Sequence, residues 1–173
     1  MTDRMRFKVR PETPADFARV REINVSAFET PAEADLVDTL RALVSPVVSL
    51  VAEAGGTGVG HILFTPVALT GRPQLRIMGL APMAVEEGHR NEGVGSALVR
   101  AGLEECRRLG FGAVVVLGHP TYYPRFGFVP SVRFGFASEY EVPAEVFMAQ
   151  ELEPGSLKDA SGIIKFHEAF RGV

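Results

Sequence analysis

A single cysteine, Cys106, occurs in the 173 residues. An internal disulfide and a cysteine-cluster metal site are therefore excluded. The four histidines are scattered without ligand spacing, so the chemistry is read as metal-free. Basic charge is also short: 18 Lys and Arg stand against 21 Asp and Glu, a formal net charge of -3. No basic field exists to release counterions from a nucleic-acid backbone. No run of about 20 apolar residues is available to span a bilayer. The first ten residues carry Arg4, Arg6, Lys8 and Arg10 but not the apolar stretch of a secretory signal. The expectation is a cytoplasmic protein with neither a nucleic-acid nor a membrane partner.

What is present is globular. Apolar residues make up 46% and charged residues 23%, against disorder, repeats or a long coiled coil. The length suits one domain, 1–173, able to bury roughly 70% of its unfolded surface.

Along the chain, alternation at Arg6 to Arg10 predicts a first strand. Thr13-Pro14-Ala15-Asp16 reads as a helix start, with Asp16 near the positive end of the dipole, and the helix runs to about Phe28. Thr30-Pro31-Ala32-Glu33 has the capping-box pattern and precedes Leu36, Val37, Leu40 and Leu43 at helical spacing. Val47 to Ala54 and Val59 to Val67 are strands around a Gly55-Gly56-Thr57-Gly58 hairpin turn, and a third strand runs from about Leu75 to Val85. A helix spans about Gly93 to Leu109, with Gly110 as its C-cap. Ala113 to Leu117 is a continuous apolar run, hence a strand covered on both faces and parallel to the one before the helix. A short helix at Tyr122 to Phe126 and strands near Val146 to Leu152 and Ile163 to His167 complete a mixed α/β or α+β fold.

The segment Arg90-Asn91-Glu92-Gly93-Val94-Gly95-Ser96 follows a strand and opens a helix. Glycine at 93 and 95 lets backbone N–H groups approach a ligand, and a helix N-terminus offers free donors and a positive dipole end. Phosphate oxygens fit such a place; tightening of the turn or close packing of the helix on the sheet explains the glycines equally well. The loop is neither a Walker A loop nor a Rossmann fingerprint.

Arg-x-x-Gly-x-Gly at 90–95 resembles the pyrophosphate loop of the GCN5-related N-acetyltransferases (GNAT). Tyr122-Tyr123-Pro124-Arg125-Phe126-Gly127-Phe128 resembles that family's aromatic-Tyr-x-x-x-Gly-Phe segment. Ala27-Phe28, the Glu33 to Arg41 helix, Ser49 to Phe64 and Val114 to Pro120 are similar to a subgroup of predicted bacterial N-acetyltransferases. The likeness implies a GNAT-like twisted, mostly antiparallel sheet with a central splayed parallel pair and about four helices. It also implies acetyl-CoA as acyl donor and a small-molecule or peptide amine as acceptor. Backbone groups of Met83, Ala84 and Val85 would hold the pantetheine arm, and Arg90, Asn91, Glu92, Gly93, Val94, Gly95 and Ser96 the diphosphate. Pro82, which has no N–H for a ladder, independently fits an interrupted pairing. Val116 stands where many relatives have asparagine, and Glu87 where proline is frequent.

By the same resemblance Tyr123 is the proton donor to the departing sulfur, with Tyr122 as packing. Amide formation needs a neutral amine, and deprotonating one of pKa about 10.4 at pH 7 costs about 4 to 5 kcal/mol. Glu33, Glu86 and His119 are candidate bases, each with a structural alternative: the capping box for Glu33, solvation for Glu86, a turn for His119. Glu92 sits awkwardly beside anions unless its side chain turns away. His61 reads as a satisfied strand residue and Cys106 as a buried small hydrophobe. The acceptor surface is expected from segments 28–34, 66–74 and 130–143. Phe134, Phe136, Tyr140 and Phe147 are either core or the face of a homodimer. A CoA-binding sensor without turnover remains the alternative to an enzyme.

Overall fold

The computed structural model describes residues 7–173. Arg6, at the start of the expected first strand, lies outside them, and that strand is β1, Phe7–Pro11. Asp16 accepts from the Thr13 N–H at 2.8 Å and closes a 3-10 turn at Pro14–Asp16. The turn leads into α1, Phe17–Phe28. Helix α2, Ala32–Leu43, starts less tightly than its capping-box pattern predicts: Thr30 Oγ1 lies 3.4 Å from both the Ala32 nitrogen and Glu33 Oε1. The Glu33 carboxylate is thus only loosely held.

Strands β2 (Val48–Ala54), β3 (Thr57–Leu69) and β4 (Ile77–Val85) form an antiparallel meander. Helix α3, Val94–Arg108, crosses over to β5, Ala113–Leu117, which pairs parallel with β4. The expected short helix is a single 3-10 turn, Tyr123–Phe126; Pro124 in its first turn has no N–H to extend it. There are therefore three α-helices among the described residues, not about four. Beyond it lie β6 (Val129–Pro130), β7 (Phe136–Ser138), β8 (Phe147–Glu151) and β9 (Gly162–Lys165). The main sheet has the order β1-β2-β3-β4-β5-β8-β6, and β9 joins the end of β3 while pairing with β7.

Period-two alternation sorts the side chains to two faces. On one face Leu50, Ile62, Phe64, Val114 and Val116 pack under α3. Gly102 sets the height of that helix, since a Cβ there would lie 2.1 Å from the Phe64 ring. On the other face Val51 and Leu63 meet Val20, Leu36 and Leu40 of α1 and α2. The far half of this face is covered by β7, β9 and their loops, where Phe136 and Phe147 are each 2% exposed. Phe134 stacks on Phe136, and Tyr140 on Phe166. Phe136 and Phe147 are core, and Phe134 and Tyr140 are half-buried against their stacking partners. No helix among the described residues is long and apolar enough to cross a membrane.

Candidate active site

The parallel pairing of β4 with β5 runs from Ile77–Ala113 to Leu80–Val116 and stops. On its other edge β4 stays joined to β3 as far as Val85–Gly60, through a bulge in which Leu63 alone opposes Ala81 and Pro82. An extra residue bends the bulged strand, and a proline there forfeits no ladder bond. β4 consequently turns away from β5 and a gap opens in the sheet.

Peptide groups alternate sides along a strand. Glu86 N–H donates to Val59 across β3, whereas the Val85 carbonyl accepts from Arg90 Nε at 3.2 Å. Val85 and Met83 therefore direct their main-chain groups into the gap, and Ala84 directs its own toward His61 of β3. Ala84 is also buried, at 3% exposure. Of the three expected pantetheine residues, Met83 and Val85 are placed for the role and Ala84 is not.

A cavity of about 610 Å³ passes through the gap. Phe28, Glu33, Leu36 and Phe170 line it from the α1–α2 face, Tyr122 and Tyr123 from the α3 face, and Gly118 and His119 from the end of β5. A second hollow of about 430 Å³ surrounds the start of α3 and is lined by Arg90, Asn91, Gly93, Val94, Gly95 and Ser96. The two hollows share Met83 and Tyr122. These two residues are the common wall of hollows that lie side by side, one at a helix N-terminus and the other in the middle of the sheet.

At the start of α3, Gly93 has φ 85 and no side chain caps the helix. The first intrahelical bond there is Ala97 N–H to Gly93 O at 3.0 Å, which leaves the N–H groups of Val94, Gly95 and Ser96 as orphan donors at the positive dipole end. A Cβ on Gly93 would meet nothing within 4 Å, so glycine is required for its backbone conformation, and the space above it is open. Arg90 and Arg125 add cationic side chains to this hollow. Unpaired amides flanked by arginines form a donor set for phosphate oxygens. Glu92 does not line the hollow; its Oε2 sits 3.4 Å from His89 Nδ1.

Tyr123 is 7% exposed, with its ring edge-on to Phe128 at 5.8 Å between centroids. Burial, reinforced by Tyr122, pushes its phenol up to about 12. It therefore holds its proton throughout the neutral range. Tyr122 is more than packing: its ring meets Tyr123 and Phe126 edge-on, while its Oη lies 3.4 Å from Ser96 Oγ. It bridges the two hollows. Sequence reasoning missed this, along with Arg125, although both stand inside the quoted aromatic segment. It also missed Leu36 and Phe170.

The candidate bases separate cleanly. Glu33 is half-buried and His119 exposed, and both line the larger cavity. Glu86 is off both hollows, paired with Arg19 at 2.7 Å. His61 is fully buried between Asn24 Nδ2 at 3.3 Å and Ser49 Oγ at 2.9 Å. Burial, aided by Arg41, pushes it down to about 3; it is a neutral structural group. Cys106 is wholly buried and its thiol is pushed up to about 12, chiefly by burial. Segments 66–74 and 130–143 do not line the cavity; they build the β7–β9 layer instead. Among the described residues no three His, Cys, Asp or Glu side chains converge as a metal site.

A parted strand pair beside an uncapped, glycine-started helix is the arrangement of a CoA-binding acyltransferase fold, and residues 8–131 match the family described as the acetyltransferase (GNAT) domain. The uncharacterized N-acetyltransferase YjhQ of Escherichia coli is 42% identical over 135 residues, 76% of this chain and 75% of its own. The uncharacterized N-acetyltransferase YhbS of the same organism is 33% identical, over 94% of this chain and 97% of its own. The crystal structure of YhbS in complex with CoA superposes with a TM-score of 0.91, covering 99% of this chain and 95% of that one at 32% identity. A GNAT acetyltransferase from Brucella melitensis in complex with acetyl-CoA gives 0.78, covering 96% and 99% at 32% identity. The chain belongs to the GNAT acetyltransferase family.

Proposed function

We propose that this protein is an N-acetyltransferase in which acetyl-CoA lies along the two hollows from α3 to the β4–β5 gap and an amine enters from the α1–α2 face. The observation that carries the reading is the adjacency of the two hollows, which share Met83 and Tyr122. The amides of Val94, Gly95 and Ser96, with Arg90 and Arg125, hold the diphosphate, and Asn91 and Gly93 shape the loop around it. Met83 and Val85 present main-chain groups to the pantetheine arm. Bound acetyl-CoA supplies the acyl thioester.

The side chains then divide the proton work. Glu33 and His119 are the proton acceptors on the amine's side of the gap; losing its proton there turns an ammonium into a nucleophile. A main-chain N–H of the parted β4 segment polarises the thioester carbonyl, the place where preorganised donors contribute most. Tyr123 Oη keeps a proton for the departing sulfur. The attack is direct, within a ternary complex. A buried free thiol and a CoA donor both suit the reducing cytoplasm of a bacterial cell, and self-association is not required by this chemistry.

The test is release of CoA thiol from acetyl-CoA with a panel of amines, measured against a thiol reagent that the buried Cys106 does not meet. Amine-dependent release is expected, and Tyr123→Phe should lower kcat roughly 100-fold while CoA affinity changes little. CoA binding with no release from any amine would identify a sensor instead of an enzyme. Equal turnover in the Phe variant would remove Tyr123 from the acid role.

A further inference from the structure

The chemistry of the acceptor is written in the half of the cavity that the CoA tail does not need. On the α1–α2 face its wall is Phe28 at the end of α1, Leu36 of α2 and Phe170 of the C-terminal 3-10 turn Glu168–Gly172. Leu117 adds a further apolar surface from β5 and is 36% exposed, unusual for the end of an otherwise buried strand. Against this apolar wall stands one side-chain carboxylate, Glu33. Among the described residues no lysine or arginine lines the cavity, and His119 is the sole described lining side chain able to carry positive charge. The adjoining hollow at the start of α2 repeats the bias, with Asp35 and again no lysine or arginine among the described residues that line it. Arg21 of α1, which meets that hollow's Asp35, is committed to it at 2.8 Å and to Asp38 at 2.9 Å.

From this arrangement we infer that the acceptor is a small primary amine with an apolar body and no anionic group, its ammonium drawn to Glu33 and its body laid on Phe28, Leu36 and Phe170. The inference rests on the acetyltransferase reading and narrows it. A carboxylate or phosphate on the substrate would leave water with no fixed cation to receive it, and uncompensated desolvation of an anion is costly. A sugar-like body would lose hydroxyl hydration against side chains that return few hydrogen bonds. The ammonium, by contrast, meets a carboxylate that is only loosely engaged, 3.4 Å from Thr30 Oγ1. An amine held there is beside a group that can take its proton. A cavity of this size, walled largely by apolar groups, is the kind that encloses a small molecule.

The experiment compares 2-phenylethylamine with L-phenylalanine, which differs by one carboxylate, and with ethanolamine and a short unblocked peptide, by thiol release and by calorimetric titration onto the CoA-saturated protein. The expected result is kcat/KM for 2-phenylethylamine at least tenfold above each of the others, with measurable binding only for that amine. Glu33→Gln should raise its KM about tenfold or more. Phe28→Arg, at a position 36% exposed, should narrow the gap to L-phenylalanine; if either variant fails to fold, the wild-type ratios decide alone. Equal or better turnover of L-phenylalanine, ethanolamine or the peptide would overturn the inference and leave the transferase reading standing. Absence of CoA binding, or of thiol release with any amine, would remove that reading and this inference with it.

Discussion

Gly118 and Tyr123 are packed so closely that a Cβ on the glycine would lie 2.3 Å from a carbon of the tyrosine ring. β5 ends at Leu117, and the backbone just beyond it forms the wall against which the phenol rests. A methyl group at position 118 cannot be accommodated unless the ring moves. Tyr123 is also pinned by Phe128 and Phe126, so it can move only into the cavity.

Gly118→Ala is therefore expected to displace the Tyr123 hydroxyl while leaving the α3 loop intact. A misplaced proton donor costs turnover steeply, about 100-fold for a 1 Å error. Steady-state kinetics should show kcat falling by more than tenfold and calorimetry should show CoA affinity within about threefold of wild type. A variant with normal kcat would mean that this packing does not position the acid.

The buried His61 makes a separate prediction about stability. Its imidazole touches Asn24 and Ser49, has Glu12 Oε2 at 3.8 Å, and feels Arg41 behind that carboxylate. Folding lowers it from 6.5 to about 3, so the unfolded chain binds this proton more readily than the folded one. Stability is then full above pH 6.5 and is lost as pH falls toward 3, at about 1.4 kcal/mol per pH unit below the unfolded value. Urea midpoints for wild type and His61→Gln at pH 7.5, 5.5 and 4.5 check this. The variant should be less stable at pH 7.5 but show a shallower acid loss over this range; parallel profiles would contradict the assignment.

The parts of the fold that local pattern governs were legible before the structure. The helix expected from Gly93 to Leu109 is observed as Val94–Arg108, with Leu109 rather than Gly110 in the C-cap position, and the apolar run at Ala113–Leu117 coincides with β5. Pro82 marked the broken pairing because a missing N–H leaves few positions for proline in a sheet. The acceptor wall was not legible in the same way. Phe170 reaches the cavity from a 3-10 turn far along the chain from Glu33, and no periodicity connects them. Similarly, segments 66–74 and 130–143 look like irregular surface, but Thr70 Oγ1 accepts from the Ile163 N–H at 2.9 Å and Phe136 pairs with Gly162. Such long-range pairings draw those segments into a second layer away from the site. Main-chain direction was also hidden: Ala84 lies in the strand that borders the gap, yet the alternation of peptide groups turns its N–H and C=O toward β3.

On the function proposed above, the uncapped amides ahead of α3 hold the CoA diphosphate. The most direct test of that reading is calorimetric titration of CoA into wild type and Gly93→Val, with circular dichroism to establish that both are folded. A β-branched residue held at the φ of 85 seen for Gly93 carries strain of about 1–3 kcal/mol, so the loop must rearrange and withdraw its donors. The account predicts at least a tenfold weaker Kd in a folded variant; unchanged affinity in that variant would contradict it.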